Sequence, residues 1–397
     1  MQPLVLTHYS LVNAMGRGAA QTYQALRQRR GGLCRCDFPH VDFETCTGAV
    51  DGVEQAPVVD ALADFDCRNN RLAQLALQQD DFAGAVAEAR GRYGAHRIAV
   101  ILGTSTSGVL ETERAYRERD PQSDTLPSWF RYRHTQDTFS VTDFARRYLG
   151  LSGPALSVST ACSSSAKAFA SAARLIEAGM CDAAVVGGAD SLCLTTLYGF
   201  ASLELVSSQP CRPCDAQRDG LSIGEAAGFA LLERSDAARG PHAVALLGYG
   251  ESSDAYHMST PHPQGAGAVL AIQRALTSAG LQPADIDYIN LHGTATRMND
   301  SVEDRAVAQV FGAATPCSST KGWTGHTLGA AGIVEAIIAC LCIEHGFMPG
   351  SLNARELDPA FSSRVLLDNR DQPVRRVLSN SFGFGGSNCS LVLGVPA

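Results

Sequence analysis

The 397 residues carry 32 basic and 40 acidic side chains, a formal net charge of −8, with 45% hydrophobic and 18% charged composition. That balance excludes a disordered chain and argues against a nucleic-acid binder, which presents a basic face. A local basic patch for an acidic partner remains compatible with it. Length and apolar content suit two packed halves or one large α/β unit.

Along the chain, strand-like runs at 98–102, 155–157 and 183–186 surround an Ala-rich helical run at 163–178. The second half repeats the style, with a strand at 243–248, a helix at 266–279, a strand at 288–291 and helices at 303–311 and 329–343. Runs at 377–378 and 389–393 read as closing strands around a Gly-rich turn. Such alternation predicts helices layered on β-sheet. Charge, Gly and Pro interrupt the pattern at 236–241, which predicts halves at 1–240 and 241–397. Residues 112–147, charged and aromatic without regular apolar period, read as an insertion that caps something.

Thirteen cysteines invite a disulfide reading. Met1, Gln2 and Pro3 lead directly into an apolar strand without a secretory leader, so the expectation is a cytoplasmic, reducing setting. The pairs Cys34/Cys36, Cys211/Cys214 and Cys340/Cys342 lack a second ligand pair at zinc-finger spacing, and no metal is expected. No run reaches the ~20 apolar residues of a membrane span. The best, 333–343, is short and contains Glu335.

The sharpest local signal is the small-residue run from Val158 to Ala170, in which a strand ends and a helix begins at or just after Cys162. A thiol at a helix N-terminus lies near unsatisfied N–H groups that favour thiolate, as a nucleophile needs. A buried cysteine packing as a small hydrophobe is the competing reading. Two further segments weigh against it. His292 follows the strand at 288–291, at the edge where α/β active sites form. His326 stands in a Gly-rich turn that opens the helix at 329–343, where an imidazole tends to stay neutral and can donate to an oxyanion. The glycines around Phe382 and Phe384 permit close backbone approach, as an oxyanion loop or gate needs; an ordinary tight turn is the alternative.

With these motifs in order, the chain resembles the β-ketoacyl-acyl carrier protein synthases of the elongating, Cys-His-His type, within the thiolase-fold superfamily. The residues that carry the resemblance are Thr160 to Ser164, Arg218 to Gly220 with Gly224 and Glu225, His292 to Thr294, Lys321 with Gly325 and His326, and Gly383 to Gly386. The resemblance implies an α/β thiolase fold of two similar halves in five layers, αβαβα, with the site at their junction. It implies decarboxylative condensation of an acyl thioester on Cys162 with malonyl-acyl carrier protein. His292 and His326 would assist decarboxylation, Lys321 would anchor the network around His326, and the N–H groups of Cys162 and Phe384 would form an oxyanion hole. Phe384 would gate, with Phe382 beside it. Thr294 and Thr296 would hold the phosphopantetheine arm, a group carried by the partner carrier protein, so no resident cofactor is implied. Thr106 falls where some relatives limit acyl access. Arg68 and Arg71 would meet the acidic carrier. Asn290, Glu335, Ser379 and Asn380 match positions around a monovalent cation in some relatives; a buried polar network is the favoured reading. A dimer is implied, as a homodimer or a ketosynthase heterodimer.

The chain departs from the family at Arg297 to Asp300, at Ala226, at Leu221 in place of a common Phe, and in the polar run Thr104 to Gly108. These departures suggest a specialised pathway, such as one making an unsaturated or aryl polyene chain. A non-catalytic chain-length factor is the rival, and the presence of Cys162, His292 and His326 speaks against it. Thiolase is a further rival, disfavoured because Cys389 lies beyond the C-terminal glycines. A cysteine hydrolase is disfavoured because no glycine elbow flanks Cys162.

Overall fold

The computed structural model describes residues 1–234 and 243–396. The break anticipated at 236–241, and with it the boundary between 240 and 241, lies outside the described residues.

The first half contributes five long strands: β1 (Leu4–Asn13), β2 (Ile98–Gly103), β3 (Ala155–Val158), β4 (Ala183–Asp190) and β5 (Ala226–Arg234). The second contributes β6 (Ala245–Ser253), β7 (Tyr288–Asn290), β8 (Pro316–Ser318), β9 (Arg376–Gly383) and β10 (Ser387–Gly394). The first five lie in the order β1-β5-β4-β2-β3, and the second five in the order β6-β10-β9-β7-β8. Each half therefore places its first, fifth, fourth, second and third strands side by side. Orientation repeats as well: β4, β2 and β3 run parallel, as do β9, β7 and β8, while β5 and β10 run antiparallel to both their neighbours. The halves join where Leu4 and Val5 of β1 pair with Leu246 and Ala245 of β6.

The layering follows from which faces are apolar. Strands β2 and β4 are buried at every residue and read as continuous apolar or small runs, as parallel strands covered on both faces do. Helices α1 (Arg68–Leu77), α2 (Phe82–Tyr93) and α3 (Ser140–Tyr148) cover the outer face of the first sheet around Leu72, Phe82, Phe144 and Phe229. Helix α4 (Ser164–Glu177) lies on the opposite, inner face of that sheet. Helices α5 (Ala266–Ala279) and α6 (Arg297–Phe311) cover the outer face of the second sheet around Ile272, Leu276, Val307 and Phe311. Helix α7 (Ala331–His345) joins α4 in the central layer, and one core cluster unites Phe169, Ile333, Ile337 and residues of both sheets. The order is αβαβα. Helix α7 is apolar on all sides because it is covered on all sides; the span Leu328–His345 has mean hydropathy 1.7 and is 89% buried.

Close approach of the central helices depends on two small positions. A Cβ at Gly103 would fall 2.3 Å from the Ser165 nitrogen, and one at Gly332 would fall 2.5 Å from the Ala166 nitrogen. These glycines let the first turn of α4 seat directly on β2 and α7. Residues 112–147 form the end of a helix over Val109–Arg117, a turn of helix at Tyr132–Thr135 and most of α3. They pack through His134 and Phe144 on Phe65 and expose Trp129 and Tyr132. None lines the cavity over Cys162, so the expected cap does not cover this chain's own site.

Candidate active site

Cys162 stands in the turn between β3 and α4, His292 directly after β7, and His326 just before α7. All three are buried. The ligand-type atoms of the three side chains lie within 4.8 Å of one another. His326 Nε2 is 3.0 Å from Cys162 Sγ, and the two imidazoles meet edge to face with centroids 5.3 Å apart. The thiol therefore has its base, and a second imidazole faces the same point.

Burial decides the resting protonation states. The Cys162 thiol is pushed up to about 11, although Lys321 and the backbone N–H groups of Phe384 and Cys162 oppose the rise. Helix α4 starts at Ser164, and its N-terminus does not win against desolvation; the anticipated depressed thiol is thus corrected. Burial, reinforced by nearby Lys321, holds both His292 and His326 well below the usual imidazole range. The resting pair is thiol and neutral imidazole, with S–H donating to Nε2.

Lys321 defines the second histidine. Its Nζ donates to the His292 carbonyl at 2.5 Å and stands 3.4 Å from His292 Nδ1, and it also bonds the Glu335 carboxylate. An ammonium can only donate, so Nδ1 accepts and Nε2 carries the ring proton. The lysine was expected to anchor the network around His326; its direct partner is His292. Sequence reasoning missed Glu303, which accepts from the backbone N–H of His292 at 2.8 Å and of Gly293 at 2.7 Å, and from Asn380 Nδ2 at 3.1 Å. It lies one turn into α6, where a carboxylate reads as an exposed helix residue.

Burial raises the Glu303 carboxyl to about 7 against those three donors. A carboxyl raised on folding contributes stability that is full below its unfolded pKa and is lost as pH rises through the folded one. Wild type minus Glu303→Gln should therefore lose on the order of 3 kcal/mol of unfolding free energy between about pH 4.5 and pH 7. Urea melts of both proteins across that range check it; a difference that grows with pH would contradict the assignment.

A cavity of about 200 Å³ opens onto Cys162, His292 and His326 and is walled by Phe200, Leu203, Leu205, Leu221, Phe382 and Phe384. Thr294 and Thr296 line it, their hydroxyls 2.9 Å apart. Phe384 stacks on Phe200 at 5.4 Å, and Phe382 lies 6.0 Å from His292. The Phe384 peptide N–H reaches the sulfur because Gly385 and Gly386, at φ 79° and 73°, turn the chain back immediately after it.

Three expectations need correction or division. Thr106 does not line this cavity; its hydroxyl and N–H are bonded to Asp190. Arg68 and Arg71 are not free surface cations. Arg68 lies across buried Glu225 in a bidentate pair at 2.6 and 2.7 Å, and Arg71 is paired bidentately with Asp66 at 2.7 Å. Both guanidiniums are neutralised within the chain, which removes the basis for carrier docking through them. Arg68→Ala should cost about 3–5 kcal/mol of stability by stranding the Glu225 carboxylate. Equilibrium unfolding reads this, whereas unchanged stability would restore a surface role. The group Asn290, Glu335, Ser379 and Asn380 is only partly a closed network. Asn290 Nδ2 reaches Thr320 and Asn380 is fully engaged, but Asn290 Oδ1 and Glu335 Oε2 are buried acceptors without a partner. Those two atoms are the donors through which the site could hold a small cation.

The comparisons decide the family. Residues 9–238 match the N-terminal domain, and residues 243–355 the C-terminal domain, of beta-ketoacyl synthase. The chain belongs to the beta-ketoacyl synthase family. A 3-oxoacyl-[acyl-carrier-protein] synthase 2 of Rhizobium meliloti is 44% identical over 61% of this chain and 61% of its own length. The mitochondrial 3-oxoacyl-[acyl-carrier-protein] synthase of Arabidopsis thaliana is 43% identical over 61% of this chain and 57% of its own. The aligned part thus spans less than two thirds of these curated relatives. Among solved structures, the ketosynthase ApeO in complex with its chain length factor ApeC from Xenorhabdus doucetiae matches at 42% identity and a TM-score of 0.90, covering 100% of this chain and 98% of that one. The ishigamide ketosynthase/chain length factor matches at 27% and 0.89, with both chains fully covered. The expected thiolase fold of this beta-ketoacyl synthase is borne out.

Proposed function

We propose that this beta-ketoacyl synthase catalyses decarboxylative condensation between an acyl group on Cys162 and malonyl-acyl carrier protein. The 3.0 Å contact between Cys162 Sγ and His326 Nε2, facing a second imidazole whose Nε2 carries a proton, carries this reading. In the first step His326 takes the thiol proton as sulfur attacks the acyl thioester carbonyl, and returns it to the departing carrier thiol. The developing oxyanion meets the N–H groups of Cys162 and Phe384. In the second step the malonyl thioester loses CO₂, and the electron pair left behind forms an enolate. His292 Nε2–H, held in that tautomer by Lys321, donates to the enolate oxygen; the Nε2-protonated form of His326 does the same once sulfur is acylated. The enolate carbon then attacks the acyl carbonyl, a C–C bond forms, and Cys162 sulfur leaves and regains its proton. Thr294 and Thr296 offer hydroxyls to the phosphopantetheine arm at the cavity wall.

The reaction uses no resident cofactor, and its macromolecular partners are the carrier and a second ketosynthase-like chain. Support for the second chain comes from β3, an edge strand with Leu156 45% exposed, and from the likeness to structures solved with chain length factors. We favour a heterodimer in a specialised, polyene-type pathway of the cytoplasm. Profiling acyl-carrier substrates with and without a co-expressed partner tests the pathway. Preference for unsaturated chains supports it, and preference for saturated medium chains by the lone protein overturns it.

A further inference from the structure

Two residues beside the reacting pair adopt backbone that side chains normally avoid. Ala161, immediately before Cys162, has φ 52°, and Leu328, two residues after His326, has φ 52°. Neither is glycine, so each turn stores strain of about 1 kcal/mol or more and persists only if neighbouring bonds enforce it. The bonds that enforce both converge on one carboxylate outside the cavity. Asp190, at the end of β4 and fully buried, accepts the N–H of Gly329, the residue following Leu328, at 2.5 Å. It also accepts the N–H of Ser105 at 2.8 Å and the N–H and hydroxyl of Thr106 at 2.8 Å each, together with the Thr104 hydroxyl at 2.8 Å. Ser105, so held, donates its own hydroxyl to the Ala161 carbonyl at 3.1 Å. A Cβ at Gly329 would lie 2.7 Å from Asp190 Oδ2, so the contact is closed to any larger residue.

We propose that Asp190 is a positioning residue for the condensation, holding the turn before Cys162 and the turn after His326 in one frame so that sulfur and Nε2 stay within proton-transfer distance. The inference rests on the condensing reading but concerns the Cys–His pair itself, which can be probed without any acyl substrate. Asp190 touches neither substrate nor the reacting atoms; it acts through Ser105 and Gly329. The acidic form of recognition is specific, because every group facing it is a donor and an amide in its place would turn an N–H₂ toward donor N–H groups.

The test is the pH dependence of Cys162 alkylation by iodoacetamide, followed by intact mass, in wild type, Asp190→Asn, Asp190→Glu and His326→Ala, with Tm measured for each. Wild type should show His326-assisted alkylation at pH 7, and Asp190→Asn should fall at least ~10-fold toward the His326→Ala rate. Near pH 10, where hydroxide ionises the thiol without help, the variants should converge on wild type. Asp190→Glu, which keeps the charge but lengthens the arm, should recover part of the loss. If Asp190→Asn keeps the wild-type profile, the proposal is overturned. A uniform loss at every pH, tracking a fall in Tm, also overturns it, since that describes general loosening. Should Asp190→Asn not fold, Ser105→Ala breaks the arm to Ala161 alone and must lower the pH 7 rate without changing that at pH 10. Wild-type failure to take an acyl group from a carrier would sink the condensing reading while leaving the alkylation result standing.

Discussion

Replacing Cys162 by Ala should abolish acyl transfer and lower condensation by ~10⁴-fold or more, because no other side chain in the cavity is a nucleophile within reach of His326. The nearest hydroxyls in the cavity, Thr294 and Thr296, bond each other and lie on the wall that receives the carrier arm. The fold should tolerate the change: a small buried thiol becomes a methyl, and the only side-chain bond lost is that to His326. A stability change within ~1 kcal/mol is expected. Decarboxylation of malonyl-carrier needs the imidazoles and not the sulfur, so it should persist in Cys162→Ala. Steady-state assays of CO₂ release and of β-keto product separate the two steps. Equal loss of both would show that the thiol is needed to build the malonyl site.

Lys321→Met should reduce condensation by ~10²–10³-fold, and it should also be the most destabilising single change at the site. Lys321 is only 1% exposed, among the largest wholly buried side chains, and its Nζ faces the His292 carbonyl, His292 Nδ1 and the Glu335 carboxylate. Without it, His292 is free to carry its proton on Nδ1, which points a lone pair instead of an N–H at the enolate oxygen. Glu335, already raised to about 7 by burial, would lose the cation that opposes the rise. Its carboxyl should then be protonated well above neutrality, and the variant should lose stability by about 3–5 kcal/mol where Glu335 must ionise. Lys321→Met with Glu335→Gln should restore much of the stability and none of the rate. Recovery of rate in that pair would contradict the tautomer argument.

Much of the chemistry was legible in the sequence because it sits on short, local signals. Cys162, His292 and His326 each occupy a junction between a strand or turn and a helix, and the motifs around them state those junctions outright. The fold was legible because β2 and β4 are continuous apolar runs and α4 and α7 are Ala- and Ile-rich. What sequence did not show was partnership across the chain. Arg68 looks like a surface cation on a helix and becomes the partner of Glu225, 157 residues away. Glu303 and Asp190 look like helix and strand-end polar residues until β7, β2 and the turn before α7 bring backbone N–H groups to them. The thiol's protonation was misread for a related reason: helix position is local and burial is not.

The central claim is that Cys162 holds an acyl group which malonyl-carrier then removes by carbon–carbon bond formation. Intact-mass spectrometry of the wild-type protein, alone and with its co-expressed partner, reads this directly after an acyl-carrier panel and again after malonyl-carrier. The account predicts a mass gain equal to one acyl group on Cys162, absent in Cys162→Ala. It predicts return to the starting mass on adding malonyl-carrier, with one CO₂ released per β-ketoacyl-carrier formed. An adduct that disappears by hydrolysis without β-keto product, or no adduct with any acyl-carrier in either preparation, would contradict it.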